Sequence, residues 1–429
     1  MTTRIACDLR RRRGDGPGVL RNGPRMSIRN RHVVIVGAGI GGLTAARALA
    51  LRGARVSVLE QASEIAEVGA GIQISPNGLA VLRALGLEGA VRATGAPEAQ
   101  AVVLRDRRGR RLARFPLAGL ERPGDYLFLH RADLIEVLAQ GARAAGAELH
   151  LGHQVDRVAP GLRPVVHAAR GGATEVDIVV GADGLHSVVA ESIGRRDTPF
   201  FTGQVAWRAV VAGDEGPPEV ELHMGPGRHI VTYPLRDHRL RNIVAVEERR
   251  DWTQESWSRR DSAAAVQGAF SRMGPRPRAL LDRIETVHVW GLFRRRVATD
   301  WHGGNTVLMG DAVHPTLPFL AQGACMAIED AWVLAEALDA TDDTRAAFET
   351  YQRARHARVV RTVDAATGNA WKYHLRGPLA TGAQLGIRLL GATAPRSVIR
   401  GFSWLYDHDV TGGARLAPVQ TARSTQTGT

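Results

Sequence analysis

The chain has 429 residues, 44% of them hydrophobic and 23% charged, a make-up that fits a globular protein with room for two or three packed units. Its formal charge of +13 is unevenly spread: residues 1–31 supply +7 of it, Lys372 is the one lysine among 56 basic residues, and no nucleic-acid-binding module is recognisable. No apolar run approaches the ~18–20 residues of a membrane span, and the two cysteines, Cys7 and Cys325, are too few for a disulfide framework or a zinc site.

The expected partners therefore exclude nucleic acid and a membrane span, no metal site is expected, and a reducing cytoplasm is the expected location. Cys325 reads as a small buried apolar residue. Residues 1–31 read as a disordered basic tail, with Arg10-Arg11-Arg12-Arg13 and little apolar periodicity. The tail lacks the apolar core of a secretory signal. Two readings stay open for it: an over-extended start, with Met26 the natural initiator, or an organelle transit peptide.

The apolar run Val33-Val34-Ile35-Val36 suits a strand buried on both faces. A glycine turn follows, then a helical pattern from Gly41 to Leu51 ended by Gly53, then a second strand, Val56-Ser57-Val58-Leu59-Glu60. This is a complete β-α-β unit. Leu79–Leu87 and Arg131–Gly146 read as helices, and Val176–Gly184 as another buried strand with a turn. After about residue 200 the pattern becomes short strands at Val205–Val211, Glu219–Met224, His229–Pro234 and Asn242–Glu248, which predicts a mostly antiparallel sheet. From about Val287 the first unit is expected to resume, with strand Thr306–Met309 and helices Met326–Leu338 and Thr344–Thr367. Residues 412–429 read as a flexible tail.

Gly37, Gly39 and Gly42 fit the dinucleotide fingerprint, in which each glycine answers a backbone need: a tight turn, approach of a pyrophosphate, and close packing of helix on strand. The helix N-terminus adds free N–H groups and partial positive charge for the phosphates. Glu60 closes the second strand, where a carboxylate accepts from ribose hydroxyls and repels a 2′-phosphate, so the resident ligand is FAD or NAD rather than NADP. A second segment separates these two. Gly310-Asp311-Ala312-Val313-His314-Pro315 runs through Leu317-Pro318-Phe319 to Gln322-Gly323-Ala324 and Ile328-Glu329-Asp330-Ala331. Asp311 follows a strand, where it can hold a ribityl hydroxyl. Gly323 and Ala324 open a helix whose N–H groups suit the end of an isoalloxazine that gains negative charge on reduction.

Together the two segments resemble the single-component FAD-dependent aromatic hydroxylases, the group of para-hydroxybenzoate, salicylate and 3-hydroxybenzoate hydroxylases. The resemblance covers residues 32–410. It implies an α/β fold, with a Rossmann-like FAD-binding domain (32–200 and 285–345) interrupted by a β-rich substrate domain (201–284) and followed by a helical C-terminal region (346–411). It further implies non-covalent FAD, NADH or NADPH as a transient reductant, O2, a small aromatic substrate, and oxygen transfer through a flavin C4a-hydroperoxide. In that family Pro318 matches the proline beside the reactive flavin carbon. Gly181-Ala182-Asp183-Gly184-Leu185-His186-Ser187 resembles the Asp-Gly motif, implicated in both FAD and NAD(P)H binding, Arg131 matches a cofactor-contacting arginine, and Gly69-Ala70-Gly71-Ile72-Gln73 resembles the loop against the flavin. Val155 is a further expected cofactor position. One departure stands out: Ala190 occupies the place of the family's usual arginine, for which Arg195 or Arg196 could compensate. His314 is expected to support its loop rather than act on substrate.

His229 and Tyr233 lie four apart, hence on one face of a strand, a spacing that resembles the His and Tyr approaching the phenol in hydroxybenzoate hydroxylases. His229 is expected to take the phenol proton, Tyr233 to hold the oxygen, and Arg208 to pair with a substrate carboxylate. The alternative for all three is ordinary strand residues with structural partners. Rival functions are a related flavoenzyme epoxidising a non-aromatic or antibiotic-like compound, and a flavin-holding protein that no longer hydroxylates and works through partners. NADH against NADPH preference and monomer against homodimer stay open.

Overall fold

A computed structural model describes residues 28–65, 70–250 and 260–414; most of the two predicted tails, with Cys7, Met26 and Gly69, lies outside the described residues. The run His32–Val36 forms the expected strand because its valines and Ile35 find apolar partners on both faces. It sits inside a six-stranded sheet of order His302–Gly303, Thr306–Leu308, Ile178–Gly181, His32–Val36, Arg55–Glu60, Glu148–Leu151. All neighbours are parallel except the first pair. Helix Ile40–Ala50 packs against both Gly323–Ala340 and Arg131–Ala144, and the parallel β-α-β unit read from the sequence is present. The start of this domain differs from expectation. Ile28 is fully buried and Arg31 donates to Thr344 Oγ1 at 2.8 Å, so the predicted tail already packs onto the body at residues 28–31.

The second sheet has eight strands, in the order Arg260–Asp261, Val287–Arg294, Phe200–Ala212, Leu240–Glu248, Arg228–Leu235, Glu219–Gly225, Ala101–Arg105, Arg111–Pro116. It is antiparallel apart from the pairing of Glu219–Gly225 with Ala101–Arg105. Here the structure departs from the 201–284 range: two strands come from within 32–200 and one from beyond 284. The physical reason is an edge. Without Ala101–Arg105, strand Glu219–Gly225 would expose a row of unpaired backbone groups. Helices Gly377–Thr393 and Pro395–Arg400 then pack on Arg111–Pro116.

The hairpin-like pair Gly71–Ile74 and Leu127–His130 joins the two sheets. Gly71 N–H donates to Asn242 Oδ1 at 2.7 Å, and the Phe128 ring stacks on Tyr233 with centroids 5.0 Å apart. A buried charge cluster ties the long helices to the Asp311 loop. Arg355, on helix Thr344–Tyr373, lies 2.5 Å from Glu329 Oε2 and 2.8 Å from Asp330 Oδ1, both on helix Gly323–Ala340. Among the described residues, no helix is long and apolar enough to cross a membrane.

Candidate active site

The glycine turn has the geometry its sequence demands. Gly37 is at φ +103°, and a Cβ there would stand 2.5 Å from Ala182 O; a Cβ on Gly42 would stand 2.0 Å from Gly37 O. Gly42 thus lets the helix approach the strand from behind the site. Nothing lies within 4 Å of a Cβ position on Gly39, so the N-terminus of helix Ile40–Ala50 opens onto free space, a cradle suited to a pyrophosphate.

That cradle leads into a cavity of about 610 Å³ lined by Glu60, Ala70, Val155 and Asp183 among others. The Glu60 carboxylate is fixed at its rim by N–H donors from Ala38 (2.8 Å) and Ala62 (2.9 Å). A second cavity, of about 340 Å³, is lined by Gln73, His229, Tyr233, Pro318, Gly323 and Ala324 among others. The two share Gly39, Ala182, Arg131, Arg208, Trp290 and Asp311, so they form one cleft along the joint between the sheets. Such a cleft would suit an elongated dinucleotide: the helix start at Gly39 would hold the phosphates, and Pro318 and Gly323 would face the planar ring.

Asp311 stands on the shared wall, in the turn Gly310–Ala312. Its side chain is open to the cleft, yet the surrounding protein withdraws it from bulk water and pushes its carboxyl pKa up, against the positive potentials of His314 and Arg131. The loop is tightly held from below. Asp330 Oδ2 accepts from Gly310 N–H at 3.1 Å and lies 2.5 Å from His314 Nε2. His314 therefore braces the loop. Arg195 donates to the carbonyls of Ala312 (2.6 Å), Val313 (3.2 Å) and Arg296 (2.7 Å). Ala190 itself is fully buried, and Arg195 supplies the strap across this turn.

Asp183, expected at the cofactor as part of the Asp-Gly motif, lines the larger cavity and is held by its own turn. It accepts from Ser187 Oγ at 2.5 Å and from Val189 N–H at 3.2 Å, and Ser187 in turn caps the short helix Val188–Ser192 through Ala190 N–H. Asp183 thus shapes the turn that walls the larger cavity, while Gly184 and Leu185 line both cavities. Arg208 also lines both, its guanidinium 4.2 Å from the Trp290 ring centroid.

Strand Arg228–Leu235 sets His229 and Tyr233 on the same cavity wall, as period-2 alternation requires. Burial drives the His229 pKa well below its ordinary value, with His374 adding to the effect, so the ring is neutral near pH 7. Its Nδ1 lies 2.7 Å from His374 Nε2, and the rings of Phe319 and Tyr373 meet it edge-on at 5.2 and 5.3 Å. Burial pushes the Tyr233 phenol up, and Arg208 and a hydrogen bond with Gln73 pull against that.

Sequence reasoning missed His374, whereas Gln73 falls in the segment read as the loop against the flavin. Helix Thr344–Tyr373 runs past its predicted end at Thr367, through Gly368 and Asn369, and so delivers His374 to the back of His229. No local signal distinguishes that histidine; only the continuation of the apolar stripe through Ala370 hints at it.

The FAD-binding domain family model matches residues 30–366. A 3-amino-4-hydroxybenzoate 2-monooxygenase of Streptomyces platensis is 35% identical over 412 residues, covering 92% of this chain and 98% of that protein. The chain belongs to the FAD-dependent aromatic hydroxylases. Another such hydroxylase, the 3-hydroxybenzoate 6-hydroxylase of Polaromonas naphthalenivorans, is 36% identical over 393 residues, 88% of this chain and 96% of the relative. The fold matches a salicylate hydroxylase–substrate complex with TM-score 0.76 at 21% identity, covering 92% of this chain and 99% of that one. As a member of these hydroxylases the chain is a monooxygenase with FAD as cofactor and NAD(P)H as reductant, and the open cradle at Gly39 fits that cofactor.

Asp311→Ala is expected to weaken FAD binding ten- to a hundredfold, through loss of a charge-assisted hydrogen bond of about 1.5–3 kcal/mol. Titration of folded apoprotein with FAD, followed by flavin fluorescence, checks this. Unaltered affinity would remove Asp311 from the ribityl assignment.

Proposed function

We propose that this hydroxylase acts on a phenolic aromatic acid of the hydroxybenzoate or aminohydroxybenzoate type. The observation that carries the reading is the pairing of buried, neutral His229 with Tyr233 on one wall of the cavity that also holds Pro318. Bound FAD supplies the redox chemistry: it accepts reducing equivalents from NAD(P)H and activates O2.

The chain's own residues prepare the substrate. A phenol becomes a much stronger carbon nucleophile once its proton is gone, and a neutral imidazole within reach is the group able to take that proton near pH 7. Tyr233 keeps its own proton in this site and donates to the same oxygen. Arg208, steadied against Trp290, is the cation for the substrate carboxylate. Val231, Val244, Val246 and Leu292 line the cavity and keep water from the reacting centre. Cys325 is free and buried, which suits a reducing compartment such as the cytoplasm.

The test is a panel of hydroxybenzoates and aminohydroxybenzoates, scored for stimulated NADH and NADPH oxidation and, by mass spectrometry, for a product heavier by one oxygen. At least one phenolic acid is expected to do both. Stimulation by no phenolic acid, with turnover of a non-aromatic compound instead, would overturn the substrate class.

A further inference from the structure

Behind His229 lies a chain of groups that the reaction as described above does not use. His229 Nδ1 is 2.7 Å from His374 Nε2, and His374 Nδ1 is 3.0 Å from Glu248 Oε1. The chain opens to solvent at its outer end: both histidines are buried, the His374 side chain 1% exposed, whereas the Glu248 side chain is 40% exposed. Two elements bring the members together. Glu248 ends the strand Leu240–Glu248, which pairs with the strand of His229, and His374 follows the last residue of helix Thr344–Tyr373.

We propose that His374 and Glu248 form a proton relay that sets the tautomer of His229 and receives the phenolic proton of the substrate. The relay deepens the reading of His229 as the base and rests on it. The hydrogen-bond logic allows one resting arrangement. The Glu248 carboxylate can only accept, so neutral His374 carries its proton on Nδ1 and offers a bare Nε2. His229 must then donate from Nδ1, which leaves its Nε2 as the unprotonated nitrogen for the cavity. A proton arriving at His229 Nε2 from the phenol breaks the phenolic O–H bond and forms N–H. The Nδ1 proton of His229 passes to His374 Nε2 in the same direction. The site then holds a phenolate, a neutral His229 donating to it, and a His374 imidazolium paired with Glu248. The positive charge thus rests away from the cavity, and total charge is conserved.

The charged neighbours decide how much Glu248 matters. Burial disfavours a charged His374 most, and Arg376, just beyond the helix, and Arg228, on the strand of His229, add to it. Glu248 opposes them, and it also pairs with Arg376. Arg228 is in turn partly balanced by Glu247, 3.3 Å away. Tyr373 contributes only a ring edge to His229. Removing the Glu248 charge therefore leaves two arginines facing the imidazolium with little to offset them.

The experiment uses the full-length, FAD-loaded protein and 4-hydroxy-3-nitrobenzoate, whose yellow phenolate reports ionisation by difference absorbance. Glu248→Gln keeps a hydrogen-bond acceptor and removes the charge. It is expected to raise the pH midpoint for ionisation of the bound probe by about one unit, a tenfold loss of phenolate in the pH range below the midpoint. Glu248→Asp is expected to restore part of the shift, and His374→Gln to match or exceed the Glu248→Gln effect. FAD content and thermal midpoint monitor folding; should His374→Gln lose FAD, the half-exposed Glu248 variants carry the test alone. Unmoved midpoints in the Glu248 and His374 variants, with the His229→Ala midpoint displaced, would overturn the relay and leave His229 as the base. An unmoved midpoint in His229→Ala would overturn both.

Discussion

Replacing His229 by alanine is expected to cut hydroxylated product by about 10²–10⁴-fold, the usual cost of losing a positioned acid–base group. NAD(P)H oxidation should fall far less, because delivery of reducing equivalents does not require the phenol to be ionised. The two effects together predict uncoupling, with O2 leaving as H2O2 while product formation collapses. Tyr233→Phe should give a milder version, since it removes one hydrogen bond and keeps the ring stacked on Phe128. The sign of the pH dependence follows from burial. Because the folded His229 pKa is depressed, the ring stays neutral as pH falls through the ordinary imidazole range near ~6.5. Coupling in the wild-type protein should therefore hold through that range and fail only at lower pH. A product-to-NAD(P)H ratio with peroxide measured alongside, across pH, decides the matter. Equal coupling in wild type and His229→Ala would return this histidine to the role of a packed strand residue.

The second large effect is expected at Arg355, which touches no ligand. Its guanidinium faces Glu329 and Asp330 in a site closed to solvent, with Arg358 and Asn77 also on Glu329. Burial alone would raise both carboxyl pKa values. For Glu329, Arg355 and Arg358 outweigh it, and for Asp330, His314 and Arg355 do, so each carboxyl is brought down to about 2. Arg355→Met removes the shared cation and keeps comparable bulk, leaving buried charge poorly paired. The expected cost is about 3–5 kcal/mol of stability. FAD content should fall with it, because Asp330 also holds Gly310 and His314 of the Asp311 loop. The linkage sign is explicit. Depressed carboxylates give their full stabilisation above the unfolded values near ~4 and lose it as pH falls toward 2. The deficit of Arg355→Met should hence be largest near neutrality and shrink on acidification. Denaturant unfolding of the FAD-loaded protein at several pH values measures this; a loss below about 1 kcal/mol at pH 7 would contradict a stabilising cluster.

Much of this molecule is legible in its amino-acid order because the determining physics is local. A strand buried on both faces must be apolar throughout, and a turn at φ +103° against Ala182 O must be glycine, so residues 32–60 announce a dinucleotide site unaided. The Asp311 segment is local too, being one strand end, one turn and one helix start. Strand alternation was enough to set His229 and Tyr233 on a common face. What that face looks onto was decided only by tertiary packing. The second sheet takes strands from 101–116 because the edge at Glu219–Gly225, 118 residues on (Ala101 pairs with Glu219), needs pairing, a demand that periodicity within either segment does not carry. His374, 145 residues from His229, became its partner because a helix continued for six residues through Gly368 and Asn369, held by packing against weak local propensity. Arg195 was one of two candidates by sequence and Arg355 an unmarked arginine among 55; contact with carbonyls in one case and carboxylates in the other gives each its part. Backbone requirements are written in short stretches of sequence, whereas the pairing of side chains across hundreds of residues exists only once the chain has closed upon itself.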